Sequence, residues 1–272
     1  MSFKEKYGEW AFVAGGSEGL GGAFCTKLAS EGMNVVVTGR HLDTIEAKQK
    51  ELEEKFGVQT KGIVVDLGTL DALETIKKGL GDTEISFLVY CAGISSIGLY
   101  SERDLDYELW RLNVNVRSLL ALSIYFSKGM VERKRGGMVF MSSCAGICGS
   151  PYLQTYSATK AYIFTLAEAL WLELAPYGVE VISAIAGATI SQSLDVPVGT
   201  PGVQTAEEVV EETFDLIGKE PTVICGPWNR EMFGNVYLLE ERKKVIEHVR
   251  DEVYNPAVAD LFTKGKYTKP KE

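Results

Sequence analysis

The chain has 272 residues, of which 46% are hydrophobic and 24% charged, a balance typical of a globular protein with one or two domains. Its net charge of −9 at pH 7 disfavours nucleic-acid and anionic-membrane partners, because both select basic surfaces. The first ten residues are charged and hold no apolar core of a signal peptide, and no apolar run is long enough to span a bilayer. We therefore expect a cytoplasmic protein.

The five cysteines are odd in number and scattered along the chain, at Cys25, Cys91, Cys144, Cys148 and Cys225. Four of them stand in apolar or small-residue stretches, and a reducing cytosol disfavours disulfides, so we expect buried free thiols. The spacing of Cys144 and Cys148 matches no common zinc pattern, and the chain has two histidines in all. We predict no metal site.

A glycine cluster follows the first apolar run, Trp10–Ala14, and precedes a helical pattern that reaches about residue 31. In the order strand, glycine turn, helix, such a cluster favours phosphate binding, because glycine allows a close backbone approach and the helix N-terminus offers free N–H groups. The spacing is G-x-x-x-G-x-G, at Gly15, Gly19 and Gly21, rather than G-x-G-x-x-G. We predict a dinucleotide site here.

The second apolar run, residues 35–38, is followed by Arg40, with no acidic residue at its end. In doubly wound folds an acid at this point selects the ribose 2′-hydroxyl, whereas an Arg accommodates a 2′-phosphate. We therefore expect NADP(H) to be preferred, with NAD(H) possible because Glu18 in the glycine turn would repel a phosphate. A third run, residues 60–65, ends at Asp66, which is placed either to accept from an adenine amino group or to cap a helix.

The middle of the chain also alternates between apolar runs and helical patterns. A fourth apolar run, residues 87–91, leads to the small residues Ala92 and Gly93, beside which a cofactor could lie close to the backbone. Residues 105–130 form a helical pattern that Asn113 and Asn115 interrupt. Asn is a poor helix-interior residue, so we expect one of them to bond a neighbouring backbone group, one to face the site, or both.

A fifth apolar run, residues 137–142, ends at Ser143, and a helix that runs to about residue 177 then carries Tyr156 and Lys160 four positions apart. Positions i and i+4 share a helix face, so the ammonium group of Lys160 can approach the phenol of Tyr156. A free phenol has a pKa of about 10, and an adjacent positive charge lowers it. Tyr156, Lys160 and Ser143 would together form a proton-transfer site for a carbonyl or an alcohol.

Two further apolar runs, residues 179–186 and 222–225, bring the total to about seven. Such alternation of strands and helices predicts an α/β fold: one Rossmann-type, doubly wound parallel sheet with helices on both faces. Ligands bind at the carboxyl ends of such strands. The glycine turn, Arg40, Asp66, Gly93, Ser143 and Gly187 all follow strands, so we expect them at one edge.

We expect a single dinucleotide-binding catalytic domain over residues 1–272, with a core at about 8–230 and a helical C-terminal extension at 231–272. Residues 191–204 contain two prolines and read as a mobile loop or lid, and Thr205 with Glu208 predicts a capping box at the next helix. Residues 238–253 form a charged helical pattern that is either solvated or an oligomer contact.

Over residues 8–230 the chain resembles the short-chain dehydrogenase/reductase superfamily, and in its overall look the hydroxysteroid dehydrogenases. The motif T-G-x-x-x-G-I-G of that family is similar to residues 14–21, and its N-N-A-G motif to residues 90–93. The resemblance assigns the family tetrad of Asn, Ser, Tyr and Lys to Asn115, Ser143, Tyr156 and Lys160, with Asn113 as the rival for the first position. The chain departs from the pattern at Ala14, Tyr90, Cys91, Ala186 and Ser191.

The resemblance implies a mechanism in which the nicotinamide exchanges a hydride with the substrate carbon and Tyr156 exchanges the proton. Lys160 would lower the pKa of Tyr156 and hold the nicotinamide ribose, Ser143 would polarise the substrate oxygen, and Asn115 would support a proton-relay water. The expected cofactor-binding residues are Gly15, Ser17, Glu18, Gly19, Leu20, Arg40, Asp66, Leu67, Ala92, Gly93, Tyr156, Lys160, Gly187, Thr189 and Ser191.

We expect an NADP(H)-preferring oxidoreductase that interconverts a secondary alcohol and a ketone. Largely apolar residues after Ser143 and Gly187 favour a sizeable apolar substrate such as a steroid or bile acid. The alternatives are a sugar, simple or acyl-linked ketone with either cofactor, or a nucleotide-sensing protein that has lost catalysis. The family implies a homodimer or homotetramer, with the helices at residues 105–130 and 156–177 as interface.

Overall fold

The computed structural model describes residues 2–190, 197 and 199–234. Their centre is a seven-stranded parallel sheet in the order β3-β2-β1-β4-β5-β6-β9. Its strands are β1 (Trp10–Ala14), β2 (Asn34–Gly39), β3 (Thr60–Val64), β4 (Ile85–Tyr90), β5 (Gly136–Ser143), β6 (Val179–Ala186) and β9 (Thr222–Ile224). The strand order reverses direction between β1 and β4, the point at which a crevice opens at the carboxyl ends of the strands.

The strands in the middle of the sheet are apolar on both faces because helices cover both faces. All six residues of β4 are buried, as are seven of the eight residues of β5. Continuous apolar runs, rather than alternating ones, are the sequence signature of such strands. The seven apolar runs in the sequence correspond to the seven strands, and the predicted Rossmann-type sheet is confirmed.

Helices divide into two layers. One face is covered by α2 (Gly19–Ser30), α3 (Leu42–Phe56) and α8 (Ala206–Leu216), whose buried residues share one core cluster. The other face is covered by α4 (Ala72–Leu80), α6 (Ser118–Glu132) and α7 (Gln154–Leu174), which share a second cluster. The remaining helices are α1 (Phe3–Tyr7), α5 (Leu105–Leu112) and α9 (Pro227–Phe233).

The helical pattern at residues 105–130 is more complicated in the structure than in the sequence. It consists of α5, a π-helical segment at Asn113–Arg117 and then α6, without an intervening loop. Within it, Leu109 and Leu120 are exposed, whereas Leu119 and Leu122 are buried, although a regular helical period would place these leucines on one apolar face. The π-helical segment shifts the faces of the helix relative to a continuous 3.6-residue period, which accounts for this difference.

The remaining predictions concern the segments that follow β6 and the absence of membrane-spanning helices. The capping box at Thr205 and Glu208 is present at the start of α8. Two short parallel strands, β7 (Ala188–Thr189) and β8 (Val203–Gln204), lie at the ends of the predicted lid. Ser191 and six other residues of that lid lie outside the described residues, as does the charged helical pattern at residues 238–253. Across the described part of the chain, no helix combines the length and the apolar character needed to cross a bilayer.

Candidate active site

The glycine turn lies between β1 and α2, and its shape depends on glycine at two places. Gly15 has φ +76°, in the left-handed region that side chains disfavour. A Cβ atom on Gly21 would overlap the carbonyl oxygen of Gly15, so the first turn of α2 packs directly on the loop backbone. The hydroxyl of Thr38 on β2 donates to the carbonyl of Val13 (2.9 Å) and accepts from the amide of Gly15 (3.2 Å).

The turn suits a dinucleotide phosphate group. The N-terminus of α2 has Glu18 as its cap residue, and that side chain makes no capping hydrogen bond, so the N–H groups of the first turn have no side-chain cap. Such N–H groups bind anions through both hydrogen bonding and the helix dipole. Across the turn, a Cβ atom on Gly15 would lie 3.0 Å from Cα of Ala92, so the loops after β1 and β4 are in close contact.

Asp66 is engaged by protein groups at the end of β3. One of its carboxylate oxygens accepts from the amide of Gly68 (2.7 Å), and the other accepts from the indole Nε1 of Trp110 (3.1 Å). Helix α4 begins after a different residue, Asp71, so the alternative that Asp66 caps a helix is wrong. Leu67 beside it is buried, and Arg40 at the end of β2 is half-buried.

The two asparagines of the π-helical segment point to different partners. Asn113 donates to the carbonyl of Gly68 (3.0 Å). The fully buried Asn115 accepts from the amide of Ile94 (2.9 Å) and donates to the carbonyl of the same residue (3.0 Å) and to the hydroxyl of Thr159 (3.1 Å). Asn113 therefore bonds a backbone group, as one alternative expected, and Asn115 contacts the helix that carries Tyr156 and Lys160.

Lys160 is buried in α7 beside Tyr156. Its ammonium Nζ lies 5.5 Å from the centroid of the Tyr156 ring and donates to the carbonyl of Met141 on β5 (2.8 Å). A Cβ atom on Gly93 would lie 3.1 Å from this Nζ, so the backbone of the loop after β4 approaches the ammonium closely. The i, i+4 spacing therefore brings the two groups together, as predicted.

Ser143 ends β5 and is half-buried, and its Oγ accepts from the amide of Ala145 (3.2 Å). Gly187 and Thr189 follow β6, and Gly187 is so close to the amide of Asn229 on α9 that a Cβ atom there would overlap it. Gly187 therefore packs against Asn229 of α9. Ser191, expected to contact the cofactor, lies outside the described residues.

The positions at which the chain departs from the family motifs have partners of their own. The hydroxyl of the fully buried Tyr90 donates to the carbonyl of Val114 inside the π-helical segment. Burial raises the pKa of the Cys91 thiol to about 12, against the opposing charge of Lys160. Thr38 and Trp110 were missed in the sequence because their positions in an apolar strand and an apolar helix look like core positions.

All five cysteines are free thiols, and four of them are buried. Burial raises the pKa of Cys144 and of Cys225 to about 12. Among residues 2–190, 197 and 199–234, no group of three or more His, Cys, Asp or Glu side chains is arranged to hold a metal ion.

The glycine turn, Asp66 and the Tyr156–Lys160 pair lie at the carboxyl edge of the sheet, where open parallel sheets bind their ligands. Residues 9–196 match the model of the short chain dehydrogenase family, and the chain belongs to that family. The protein is an NAD(P)-dependent alcohol dehydrogenase or ketoreductase.

Among the proteins that are similar to the chain are two curated relatives and one solved structure. A 7beta-hydroxysteroid dehydrogenase from Collinsella aerofaciens is 34% identical over 239 residues, which cover 85% of this chain and 91% of that protein. A very-long-chain 3-oxoacyl-CoA reductase from Mus musculus is 33% identical, over 78% of this chain and 70% of that protein. A 7beta-hydroxysteroid dehydrogenase structure superposes with a TM-score of 0.86 at 32% identity, over 92% of this chain and 99% of that one.

Proposed function

We propose that the protein is an NADP(H)-preferring hydroxysteroid oxidoreductase that interconverts a secondary alcohol, first of all a 7β-hydroxyl group, and the corresponding ketone. The observation that carries the proposal is the position of the Lys160 ammonium, 5.5 Å from the Tyr156 ring centroid and at the same sheet edge as the glycine turn. Similarity to 7beta-hydroxysteroid dehydrogenases over 85% of the chain supports the substrate class.

In this proposal each candidate residue handles a proton or holds a group in place. Tyr156 gives its phenol proton to the substrate oxygen during reduction and takes it back during oxidation. Ser143 donates to the same oxygen, and the buried Lys160 places its ammonium group beside the phenol ring. Asn115 fixes the loop after β4 through its two bonds to Ile94.

The glycine turn, Ser17, Leu20 and the residues at the ends of β2 to β4 would hold the dinucleotide, which when bound supplies or accepts the hydride. Arg40 supports a preference for the 2′-phosphate of NADP(H), because no acidic residue ends β2. Glu18 is exposed in the turn, so its side chain can turn to solvent and away from a phosphate.

The residues that follow Ser143 in the chain partly support an apolar substrate. Pro151, Tyr152 and Leu153 are half-buried and lie between Ser143 and Tyr156 in the chain. Ile147, by contrast, is buried in a cluster with Phe164, so its side chain packs into the protein. The apolar surface available to a substrate therefore comes from the later part of this loop.

The mouse relative supports a second candidate, reduction of a 3-oxoacyl thioester. The basic run at Arg133, Lys134 and Arg135, which a carrier-linked substrate could use, precedes β5 and so lies at the amino-terminal edge of the sheet. Arg133 also bonds Glu84 (3.0 Å) and the carbonyl of Ile85 (3.0 Å). That edge is opposite to the candidate site, so we place the thioester second.

The deciding experiment is a steady-state assay of a 7-keto steroid, a 3-oxoacyl-CoA and a small cyclic ketone, each with NADPH and with NADH. We expect the highest kcat/KM with the steroid and NADPH. The kcat of the Tyr156→Phe variant should fall about 10²-fold to 10⁴-fold, because the variant lacks the proton donor. The variant should still bind NADPH, because nothing else in the site is changed. Turnover of the thioester alone would favour the second candidate, and unchanged turnover in the variant would contradict the role of Tyr156.

We also propose a cytoplasmic location and a homodimer or homotetramer. The five free thiols support a reducing compartment. Large apolar side chains exposed on α6 and α7, among them Ile124 and Leu172, support an assembly through these helices. A nucleotide-sensing protein without catalysis is disfavoured because the Tyr and Lys are both present.

A further inference from the structure

Two loops lie beside the candidate site, and hydrogen bonds join them. Loop A (residues 91–99) follows β4 and contains Ile94, the partner of Asn115. Loop B (residues 144–153) connects Ser143 to the helix that carries Tyr156. The amide of Gly98 in loop A donates to the carbonyl of Tyr152 in loop B (3.0 Å). Loop A approaches Lys160 at Gly93, and loop B lies between Ser143 and Tyr156 in the chain, so both loops flank the candidate site.

Arg103 hydrogen-bonds to both loops. In loop A its guanidinium donates to the hydroxyl (2.5 Å) and the carbonyl (2.8 Å) of Ser96 and to the carbonyl of Gly98 (3.2 Å). In loop B it donates to the carbonyl of Tyr152 (2.7 Å). The planar fork of an arginine is suited to several acceptors at once, and a lysine could satisfy fewer of them.

The position of Arg103 is itself fixed by the start of α5. Asp104, the next residue, caps that helix by accepting from the amide of Tyr107 (2.7 Å). Glu108 on the first turns of α5 lies 3.6 Å from Arg103 and also pairs with the fully buried Arg111. Arg111 in turn donates to the hydroxyl of Ser96 (2.7 Å). The two arginines and one carboxylate anchor both loops to α5.

Loop B needs such an anchor because its backbone is strained at the point of attachment. Tyr152 has φ +66°, which is in the left-handed region. This conformation costs free energy for a bulky residue such as tyrosine. A conformation of this kind persists only when its surroundings hold it. Among the described residues with a side chain, Tyr152 shares this region with Lys134 alone, which lies at the far edge of the sheet.

We infer that Arg103 is a positioning residue for the substrate: it joins loop A to loop B and so sets the width of the pocket in which a large, rigid ketone lies. The inference rests on the proposed function for the identity of that ketone. The proton-transfer groups are held by other bonds, those of Lys160 to Met141 and of Asn115 to Thr159. Loss of Arg103 should therefore affect substrate binding more than the chemical step.

The test compares Arg103→Met and Arg103→Lys with the wild type. We expect KM for the 7-keto steroid to rise about tenfold or more in Arg103→Met, with kcat within about threefold and NADPH affinity within about twofold. Arg103→Lys should recover part of the loss, because one ammonium can bond some of the same carbonyls. Backbone amide exchange of Gly98 and of loop B should become about tenfold faster in Arg103→Met.

The matched control is Arg133→Met, which removes another partly buried arginine that bonds a backbone carbonyl and a glutamate, at the opposite edge of the sheet. An equal rise of KM in the control, or unchanged amide exchange of Gly98 in Arg103→Met, would overturn the inference. If the wild type reduces no steroid, the proposed function fails, and the amide exchange together with KM for the small cyclic ketone still decides the role of Arg103.

Discussion

Hydrogen bonds hold both the backbone and the side chain of Lys160. The hydroxyl of Ser142 donates to its backbone carbonyl (2.7 Å), and its ammonium donates to the carbonyl of Met141 (2.8 Å). The end of β5 and the helix α7 are thus tied together by side chains on each element. The loop between them packs on the same residue, because a Cβ atom on Gly146 would lie 2.6 Å from the backbone carbonyl carbon of Lys160.

Arg40 carries the first prediction at the scale of the residue. Arg40→Ala should weaken NADPH binding about tenfold to a hundredfold and leave NADH binding within about threefold, because a single charge-assisted phosphate contact is lost. Fluorescence titration of both cofactors measures this ratio, and NADH serves as the internal control. Equal weakening of the two cofactors would mean that Arg40 supports the fold of the pocket and does not select the 2′-phosphate.

Single residues also show how far the sequence could predict the site. Tyr156, Lys160 and Ser143 were predictable because their spacing and their positions after apolar runs place them at one edge. Asn115 could not be separated from Asn113 by composition alone, since the π-helical segment that turns them to different partners leaves no clear signal in the sequence. Trp110 was missed because an indole N–H that bonds a carboxylate looks, in sequence, like any buried aromatic.

The continuous helix from α5 to α6 acts as a frame for the loop after β3. Along it, Trp110 bonds Asp66, Asn113 bonds Gly68, Arg117 bonds the carbonyls of Thr69 and Leu70, and Ser118 bonds the carbonyl of Leu67. The same helix directs Asn115 to Ile94. One element therefore fixes both the expected adenine side of the site and its proton-transfer side.

A prediction at this scale concerns Trp110. Trp110→Phe keeps the aromatic bulk and removes the N–H that holds Asp66, so NADPH and NADH should both bind about threefold to tenfold more weakly. Turnover with reduced nicotinamide mononucleotide, which lacks adenosine, should be unchanged. A loss of activity with the mononucleotide as well would show that the indole supports the whole helix rather than the carboxylate.

The first turn of α2 gives a prediction with a control in the next residue. Gly21→Ala places a methyl group on the carbonyl of Gly15, so the turn must open, and we expect cofactor binding to be lost and the melting temperature to fall. In Gly22→Ala the new Cβ meets the flexible end of Lys48 at 3.3 Å, and helix propensity gains about 0.5–1 kcal/mol. Circular dichroism melts and cofactor titration distinguish the two variants, and equal behaviour would contradict the packing.

At the scale of the whole molecule, the exposed apolar residues of α6 and α7 call for a partner surface. Ile124 is 51% exposed and Leu172 69% exposed, although each is large and apolar. We expect a dimer or tetramer by sedimentation velocity, and Ile124→Glu together with Leu172→Glu should produce smaller species. Leu42→Glu, on α3 at the other face of the sheet and 56% exposed, is the control and should leave the assembly intact. A monomeric wild type would contradict the prediction.

The sheet and its two helical layers were predictable from the sequence because parallel strands buried on both faces appear as uninterrupted apolar runs. Contacts between distant segments were not. The bond from Tyr90 to Val114 and the contacts of Arg103 join residues whose proximity follows from the crossovers of the chain. No local pattern around Tyr90 or Arg103 distinguishes such partners from ordinary core and surface positions.

The buried thiols have a consequence for alkaline solution. In the unfolded chain a thiol ionises near pH 9, whereas burial raises the pKa of Cys144 and of Cys225 to about 12. The protonated form is the one that the fold tolerates, so its stabilising effect is complete below about pH 9 and is lost as the pH rises from about 9 to about 12. Each such group lowers the free energy of unfolding by about 1.4 kcal/mol per pH unit in that interval.

Oxidation of an alcohol by this enzyme releases a proton, so alkaline buffers favour that direction on chemical grounds. The same buffers lower the free energy of unfolding. The highest pH at which an oxidation assay can be run is therefore set by the stability of the protein. Urea midpoints should fall steadily above about pH 9, and a flat profile up to pH 11 would contradict this. The choice of working pH becomes a compromise between driving force and enzyme lifetime.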